Sequence, residues 1–178
     1  MRRVSVVGVS GAGKSTLARH LAAHLGVPHI ELDAIFHQPG WKPLPPQQFA
    51  RRVSAAAAGE GWVIDGNYSI VQQLVWRRAD TVIWIDLPRR TVMRWIVWRT
   101  VRRLITGGEL WNGNRERWRN MLTWDPELSV ISWAWHHYGT YRERYSAAFA
   151  DPAYRHLVFI RVTTPAELKK IARLGLPT

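Results

Sequence analysis

Two hydrophobic patterns alternate along this chain, short runs of consecutive apolar residues and longer stretches with an apolar residue every third or fourth position. The first run, residues 3–9, is rich in β-branched valines and predicts a buried strand. Residues 15–26 predict a helix, because leucines recur at every fourth position (Leu17, Leu21, Leu25). A turn of small residues separates this strand from this helix.

The same two patterns continue to the end of the chain. Further strands are predicted at residues 29–33, 62–65, 81–86 and 156–162, and further helices at residues 47–59, 89–105, 128–148 and from Pro165 onward. The buried stripe of the 89–105 helix is predicted to consist of Met93, Val97, Val101 and Leu104. Prolines after residue 38 predict a long loop before the 47–59 helix. Strands that alternate with helices indicate an α/β fold, in which helices cover both faces of a parallel sheet.

Composition narrows the class of protein. The chain has 178 residues, 47% hydrophobic and 21% charged, which is typical of a globular protein, and we expect a single domain over residues 1–178. It contains no cysteine, which excludes disulfides, zinc–thiolate sites and thiol nucleophiles. No stretch reaches the ~18 apolar residues of a membrane helix, and the run after Arg3 is too short for a signal peptide. We therefore expect a cytoplasmic protein without a membrane partner.

Charge is the unusual bulk property. Lysines and arginines number 25 against 13 acids, a formal net charge of +12. Residues 89–119 contain nine arginines and only two acids, Glu109 and Glu116. Such a region favours an anionic partner, for which phosphates of a small ligand, nucleic acid and a membrane surface are the candidates.

The turn after the first strand carries a phosphate-binding motif. Residues 8–15, GVSGAGKS, match G-x-x-x-x-G-K-[ST]. Glycines allow successive backbone N–H groups to approach a phosphate, and the positive end of the following helix points at the same group. The motif predicts a site for ATP, with Lys14 on the β- and γ-phosphates and the Ser15 hydroxyl on Mg²⁺. The predicted nucleotide-binding residues are Gly8, Ser10, Gly11, Ala12, Gly13, Lys14, Ser15 and Thr16.

A second magnesium ligand is expected at the end of a neighbouring strand. Asp65 ends the apolar run Trp62–Asp65 and is followed by Gly66. A carboxylate in this position next to a phosphate-binding loop holds a water bound to Mg²⁺, although an Asp-Gly pair also simply caps a turn. Asp86 ends a later strand and is the second candidate.

These residues resemble a known group of enzymes. The loop, Asp33, the VIDG run at residues 63–66 and the IDLP run at residues 85–88 are similar to the adenylate kinase and shikimate kinase group of P-loop kinases. The LDAIFHQPGW run at residues 32–41 and the IDGNY run at residues 64–68 resemble more closely the DNA topology modulation protein family of kinase-like ATPases. The resemblance covers nearly the whole chain. It implies a three-layer P-loop NTPase fold, with the five predicted strands in the order 2-3-1-4-5 and a mobile lid at about residues 105–127.

The resemblance also implies roles for arginines. Arg99 matches the arginine at the entry to the lid, which contacts ATP phosphates. A second arginine is expected four positions earlier, where this chain has Trp95 beside Arg94. Whether Arg94 takes that role is open. Lid residues Arg115, Arg117 and Arg119 either close over ATP and stabilise the charge of the transferred phosphoryl group or form a solvated cationic face.

The acceptor of the phosphoryl group is expected near Asp33. This residue leaves the second predicted strand at the carboxyl edge of the sheet, where open α/β sheets bind ligands. Its carboxylate either takes the proton of an acceptor hydroxyl or caps a turn, and the sequence leaves both readings open. Further candidates for acceptor binding are His37, Asn67, Tyr68 and Arg115.

The sequence therefore predicts a Mg²⁺- and ATP-dependent kinase with Lys14, Arg99 and Asp33 as catalytic residues and a small molecule or nucleotide as acceptor. One alternative is a nucleic-acid-binding ATPase that modulates DNA topology, in which the arginines of residues 89–119 bind the phosphate backbone. Interleaved tryptophans such as Trp98 and Trp111 would stack on bases. The other alternative is a nucleotide sensor without turnover. A monomer and a homodimer both fit.

Overall fold

The computed structural model describes residues 2–106, 111–114 and 130–175. Its strands are β1 (Arg3–Gly8), β2 (His29–Glu31), β3 (His37–Gln38), β4 (Lys42–Pro43), β5 (Trp62–Asp65), β6 (Thr81–Ile85) and β7 (Val158–Val162). Its helices are α1 (Lys14–Leu25), α2 (Leu32–Phe36), α3 (Pro46–Ala56), α4 (Ser69–Trp76), α5 (Arg89–Thr106), α6 (Val130–Ala150) and α7 (Pro165–Leu174).

Five strands form one parallel sheet in the order β2-β5-β1-β6-β7. The short strands β3 and β4 form a separate antiparallel hairpin, so the five sheet strands taken in chain order have the predicted order 2-3-1-4-5. The predicted α/β fold is confirmed. Since β1 lies at the centre, the loop that follows it opens at the middle of the sheet's carboxyl edge, between Asp65 and Ile85 of the neighbouring strands.

Helices cover both faces of this sheet. Successive side chains of a strand point to opposite faces, and β1 supplies Val4 and Val6 to one core and Val7 to the other. The first core contains Leu17 of α1 and Ile96 of α5. Residues of the second core come from α3, α4 and α6 and include Phe49, Val53, Val71, Val75 and Tyr145. Packing between the three layers fixes the positions of the strand ends, from which the polar loops extend.

The stripe predicted for α5 is wrong at Val97 and Val101, whereas Met93 packs against the first core. The helix buries Val92, Ile96 and Thr100, whereas Val97 and Val101 are 43% and 39% exposed. Apolar residues occupy more than one side of this helix, so its sequence admits two stripes with the same spacing. Packing decides between them, because Ile96 lies directly against Gly11 of the glycine-rich loop after β1.

Two segments near the site also differ from expectation. The second strand ends at Glu31, and Asp33 lies in the short helix α2 instead of at a strand end. The segment predicted as a long loop contains the β3–β4 hairpin. Helix α4 had not been predicted at all. In the part of the chain that the structure describes, no helix has the length and apolar character needed to cross a bilayer.

Candidate active site

Three glycines shape the loop between β1 and α1. Gly8, Gly11 and Gly13 have φ angles of 144°, 79° and 94°, a region that side chains disfavour. A Cβ atom on Gly8 would lie 2.6 Å from the carbonyl oxygen of Ile85, and a Cβ atom on Gly11 would overlap the side chain of Ile96. The loop therefore lies so close to β6 and α5 that only glycine fits at these two positions.

Lys14 lies folded over this loop. Its Nζ donates a hydrogen bond to the carbonyl oxygen of Val9 at 3.1 Å. Burial lowers the pKa of Lys14, the carboxylates of Asp33 and Asp65 act in the opposite direction, and Arg99 lowers it further. These electrostatic effects require that the two carboxylates and the guanidinium lie near one ammonium group. The four charged residues predicted for nucleotide, metal and acceptor binding are thus brought together.

Ser15 and Asp65 are in direct contact. The Ser15 hydroxyl donates to Oδ2 of Asp65 at 2.5 Å, and Asp65 is 4% exposed. The other carboxylate oxygen lies 3.1 Å from Nε2 of His29, and Nδ1 of the same ring lies 3.8 Å from Oε1 of Glu31. A hydroxyl beside a carboxylate oxygen is a set of oxygen ligands that Mg²⁺ accepts.

Sequence reasoning missed His29 because its contact with Asp65 depends on the pairing of β2 with β5. Asp86, the second candidate for the magnesium ligand, has other partners. It forms ion pairs with Arg161 of β7 and with Arg142 of α6, the latter at 3.3 Å. Of the two candidates for the second magnesium ligand, Asp65 is therefore the one that lies at the glycine-rich loop.

A second group of polar side chains surrounds Asp33. The Tyr68 hydroxyl donates to Oδ1 of Asp33 at 2.6 Å, and Nε2 of His37 lies 3.4 Å from the same hydroxyl. Burial, followed by the negative charge of Asp33, raises the pKa of Tyr68, so the phenol stays protonated and donates. Burial lowers the pKa of His37. Asp33, Tyr68 and His37, predicted separately, thus form one chain of contacts.

Asn67, predicted to bind the acceptor, contacts the start of the glycine-rich loop. Its side-chain nitrogen donates to the carbonyl oxygen of Gly8 at 2.5 Å, and its side-chain oxygen accepts from Gly8 N at 3.2 Å and from the Tyr145 hydroxyl at 3.0 Å. The amide is occupied by backbone and core partners. Its role in this structure is to tie the end of β1 to the loop after β5.

Residues 111–114 lie against α2 and His37. Asn112 donates to the carbonyl oxygens of Ala34 and His37, at 3.1 and 2.5 Å. Trp111 donates from Nε1 to Glu31 at 2.6 Å and stacks on His37 with 6.1 Å between ring centroids. These contacts join residues more than 70 positions apart in the chain, and the sequence carries no signal for them.

The arginines are only partly described. Arg99 is half-buried on α5 next to the buried Thr100, whereas Arg94 is exposed. Trp95 lies toward the loop, since its Cζ3 atom would be 3.6 Å from a Cβ atom on Gly13. Arg115, Arg117 and Arg119, predicted as lid residues, lie outside the described residues.

Comparison with solved structures identifies the fold. A gluconokinase from Sinorhizobium meliloti 1021 aligns over 98% of this chain and 89% of its own, with a TM-score of 0.53 and 16% sequence identity. A shikimate kinase from Bacteroides thetaiotaomicron aligns over 97% of this chain and 94% of its own, with a TM-score of 0.57 and 15% identity. No protein-family model matches the chain, and no curated protein matches it.

At identities this low the similarity concerns the fold, so membership of the DNA topology modulation protein family stays a prediction. In this chain the glycine-rich loop follows the central strand of the parallel sheet. This chain shares its α/β fold with this gluconokinase and this shikimate kinase.

Proposed function

We propose that this protein is a Mg²⁺- and ATP-dependent phosphotransferase that phosphorylates a hydroxyl group of a small-molecule or nucleotide acceptor. The observation that carries the proposal is the convergence of Lys14, Ser15 and Asp65 at the glycine-rich loop with Asp33 close by. One side of this arrangement suits a polyphosphate and its metal ion. The other side presents a carboxylate to an acceptor.

The nucleotide side follows from backbone geometry. The glycines at positions 8, 11 and 13 have positive φ angles, and N–H groups of a loop with such a backbone can donate to phosphate oxygens. Lys14 already lies over the loop and would exchange its bond to Val9 for bonds to the β- and γ-phosphates. Arg99 approaches from α5 and would neutralise charge on the transferred group, as a cation that needs no proton exchange.

The ligand oxygens of Ser15 and Asp65 fit Mg²⁺. When bound, this ion would neutralise the charge that develops on the phosphate oxygens. Ser15 would exchange its hydrogen bond to Asp65 for the metal ion, and Asp65 would hold the ion directly or through water. His29 keeps the other oxygen of Asp65 in place.

Asp33 supports the acceptor side of the reaction. The bond between the γ-phosphorus and its bridging oxygen breaks, a bond to the acceptor oxygen forms, and the proton of the acceptor hydroxyl passes to the carboxylate of Asp33. Tyr68 donates to one carboxylate oxygen and leaves the other to accept from the substrate. The hydrogen bond from Tyr68 thereby orients Asp33.

Transfer of radioactive γ-phosphate tests the proposal. We expect label on one class of acceptor in a panel of nucleosides, nucleoside monophosphates, sugars, sugar acids and polyols. Asp33→Asn should lower the transfer rate by about 10²- to 10⁴-fold, the usual contribution of a general base, without weakening ATP binding. Asp151→Asn, at an exposed position, is the matched control and should retain activity. Binding of ATP without transfer to any acceptor would favour the nucleotide sensor instead.

A further inference from the structure

Trp41 has a backbone conformation that its side chain disfavours. Its φ angle is +62°, and the only other non-glycine residue with positive φ in the described ranges is Asn112, a residue type that tolerates this region. The left-handed conformation costs an ordinary L-residue measurable stability, and Gly40 immediately before it shares the same region. A glycine or asparagine at position 41 would relieve this strain.

The surrounding structure imposes the conformation. Strands β3 and β4 pair on either side of the turn, with His37 opposite Pro43 and Gln38 opposite Lys42. The Trp41 backbone N–H donates to Oδ1 of Asn114 at 3.0 Å, and the nitrogen of the same amide donates to the Gln38 carbonyl oxygen at 3.1 Å. Strained residues that are held in this way concentrate at functional sites.

The strained turn directs the indole toward the acceptor side of the site. Its ring centroid lies 5.3 Å from that of His37, edge to face, while Trp41 remains 39% exposed. Nε2 of His37 lies 3.4 Å from the Tyr68 hydroxyl, and this hydroxyl donates to Oδ1 of Asp33 at 2.6 Å. An exposed indole and the proposed base therefore lie on the same side of the molecule, connected by two side chains.

We propose that Trp41 binds the acceptor by stacking and that the acceptor is a ring compound, a sugar ring or a nucleoside, with a hydroxyl group directed at Asp33. This inference rests on the proposed phosphotransferase function. An indole offers a flat apolar face to a ring, while an open-chain polyol presents no such face. The strain at position 41 is then retained because no smaller or more tolerant residue supplies this face.

Matched pairs of ring and open-chain compounds test the inference. Two pairs would be compared, myo-inositol with sorbitol and ribonucleosides with ribitol. Binding would be measured by saturation-transfer NMR on the protein loaded with Mg²⁺ and an ATP analogue, and phosphate transfer would be measured with Mg²⁺ and ATP. The expected result is binding and transfer for a ring member and at least about tenfold less for its open-chain partner. The two pairs also distinguish a polyhydroxylated ring from a nucleobase.

Three variants separate stacking from a structural role. Trp41→Ala and Trp41→Gly remove the same ring, but glycine also relieves the strain, so Trp41→Gly should be the more stable in thermal unfolding. Stacking predicts that both variants lose acceptor affinity equally, by about tenfold or more, and that Trp41→Phe restores most of it. A merely structural role predicts a milder loss for the glycine variant.

The outcomes are distinct from those of the proposed function. The affinity for ATP, measured by calorimetry, should be the same in all three variants. If the wild type did not bind ATP, the proposed phosphotransferase function itself would be overturned. The inference about Trp41 is overturned if an open-chain polyol is used as well as its ring partner or if no ring compound in the panel binds to the ATP-loaded protein. Unchanged acceptor KM in Trp41→Gly would overturn it as well.

Discussion

Asn67 shows how single side chains hold the site together. Its amide forms hydrogen bonds with both backbone groups of Gly8 and with the Tyr145 hydroxyl, and so connects three separate elements. Gly8 is the first residue of the motif, and a shift at this point would move the N–H groups that follow it. The side chain predicted to contact an acceptor thus holds the start of the loop that precedes the lysine.

His37 gives the site a dependence on pH at the residue scale. Burial lowers its pKa in the folded protein below the unfolded value of about 6.5, so the folded ring stays neutral where the unfolded ring is protonated. The contribution of the neutral His37 ring to the stability of the fold is complete above about pH 6.5 and is lost as the pH falls below that value. Urea unfolding at pH 8 and pH 5 should therefore show a smaller acid-induced loss in His37→Gln than in the wild type.

The expected difference is below about 1 kcal/mol, because the half-buried ring is partly screened by solvent. His20→Gln serves as the control, since His20 is exposed. An acid-induced loss of the same size in wild type and His37→Gln would contradict the contribution assigned to His37.

At the scale of elements, α5 connects the fold to the loop. Ile96 is fully buried and touches Gly11, whereas Val97 is 43% exposed. Ile96→Ala should lower the free energy of unfolding by about 2–5 kcal/mol, because it leaves a cavity in the first core. Val97→Ala should change it by less than about 1 kcal/mol. Chemical denaturation compares the two directly, and equal losses would support the stripe predicted from the sequence.

The sequence was sufficient to predict the elements that carry strong local signals. The valines of β1, the leucines of α1 and Gly26, which ends α1 in a left-handed conformation, all agree with the structure. The short helices α2 and α4 were missed because five and eight residues give little periodicity, and their stability comes from tertiary packing. Apolar side chains on two sides of α5 made its buried stripe ambiguous.

At the scale of the whole molecule, predictability followed distance along the chain. Lys14 and Ser15 belong to one local motif, and the Asp that ends β5 could be inferred from strand order. The contact of His29 with Asp65 could not be inferred from the sequence. Nor could the contacts of Trp111 with Glu31 and of Asn112 with α2, because each depends on elements that only the completed fold brings together. Trp41 stood within a recognisable motif, but its strain is visible only in the structure.

The positive net charge of the chain favours the main alternative function, that of a nucleic-acid-binding ATPase. The chain carries +12, and α5 exposes Trp98, with the Arg102 guanidinium 5.7 Å from its ring centroid. Nonspecific attraction to DNA that weakens with salt follows from such charge alone. The phosphotransferase account predicts that duplex or single-stranded DNA changes ATP turnover by less than about twofold at about 0.15 M salt, where charge is screened beyond ~8 Å. Stimulation of tenfold or more would favour a nucleic-acid-dependent ATPase.

Calorimetric titration of ATP with and without Mg²⁺ tests the central claim most directly. We predict binding by the wild type, a loss of about 10²-fold in Lys14→Ala through missing charge-assisted bonds, and unchanged binding in the control Lys42→Ala, an exposed lysine. Ser15→Ala and Asp65→Asn should weaken binding only when Mg²⁺ is present. Absence of ATP binding by the wild type, or equal affinities in Lys14→Ala and Lys42→Ala, would contradict a nucleotide site at the glycine-rich loop.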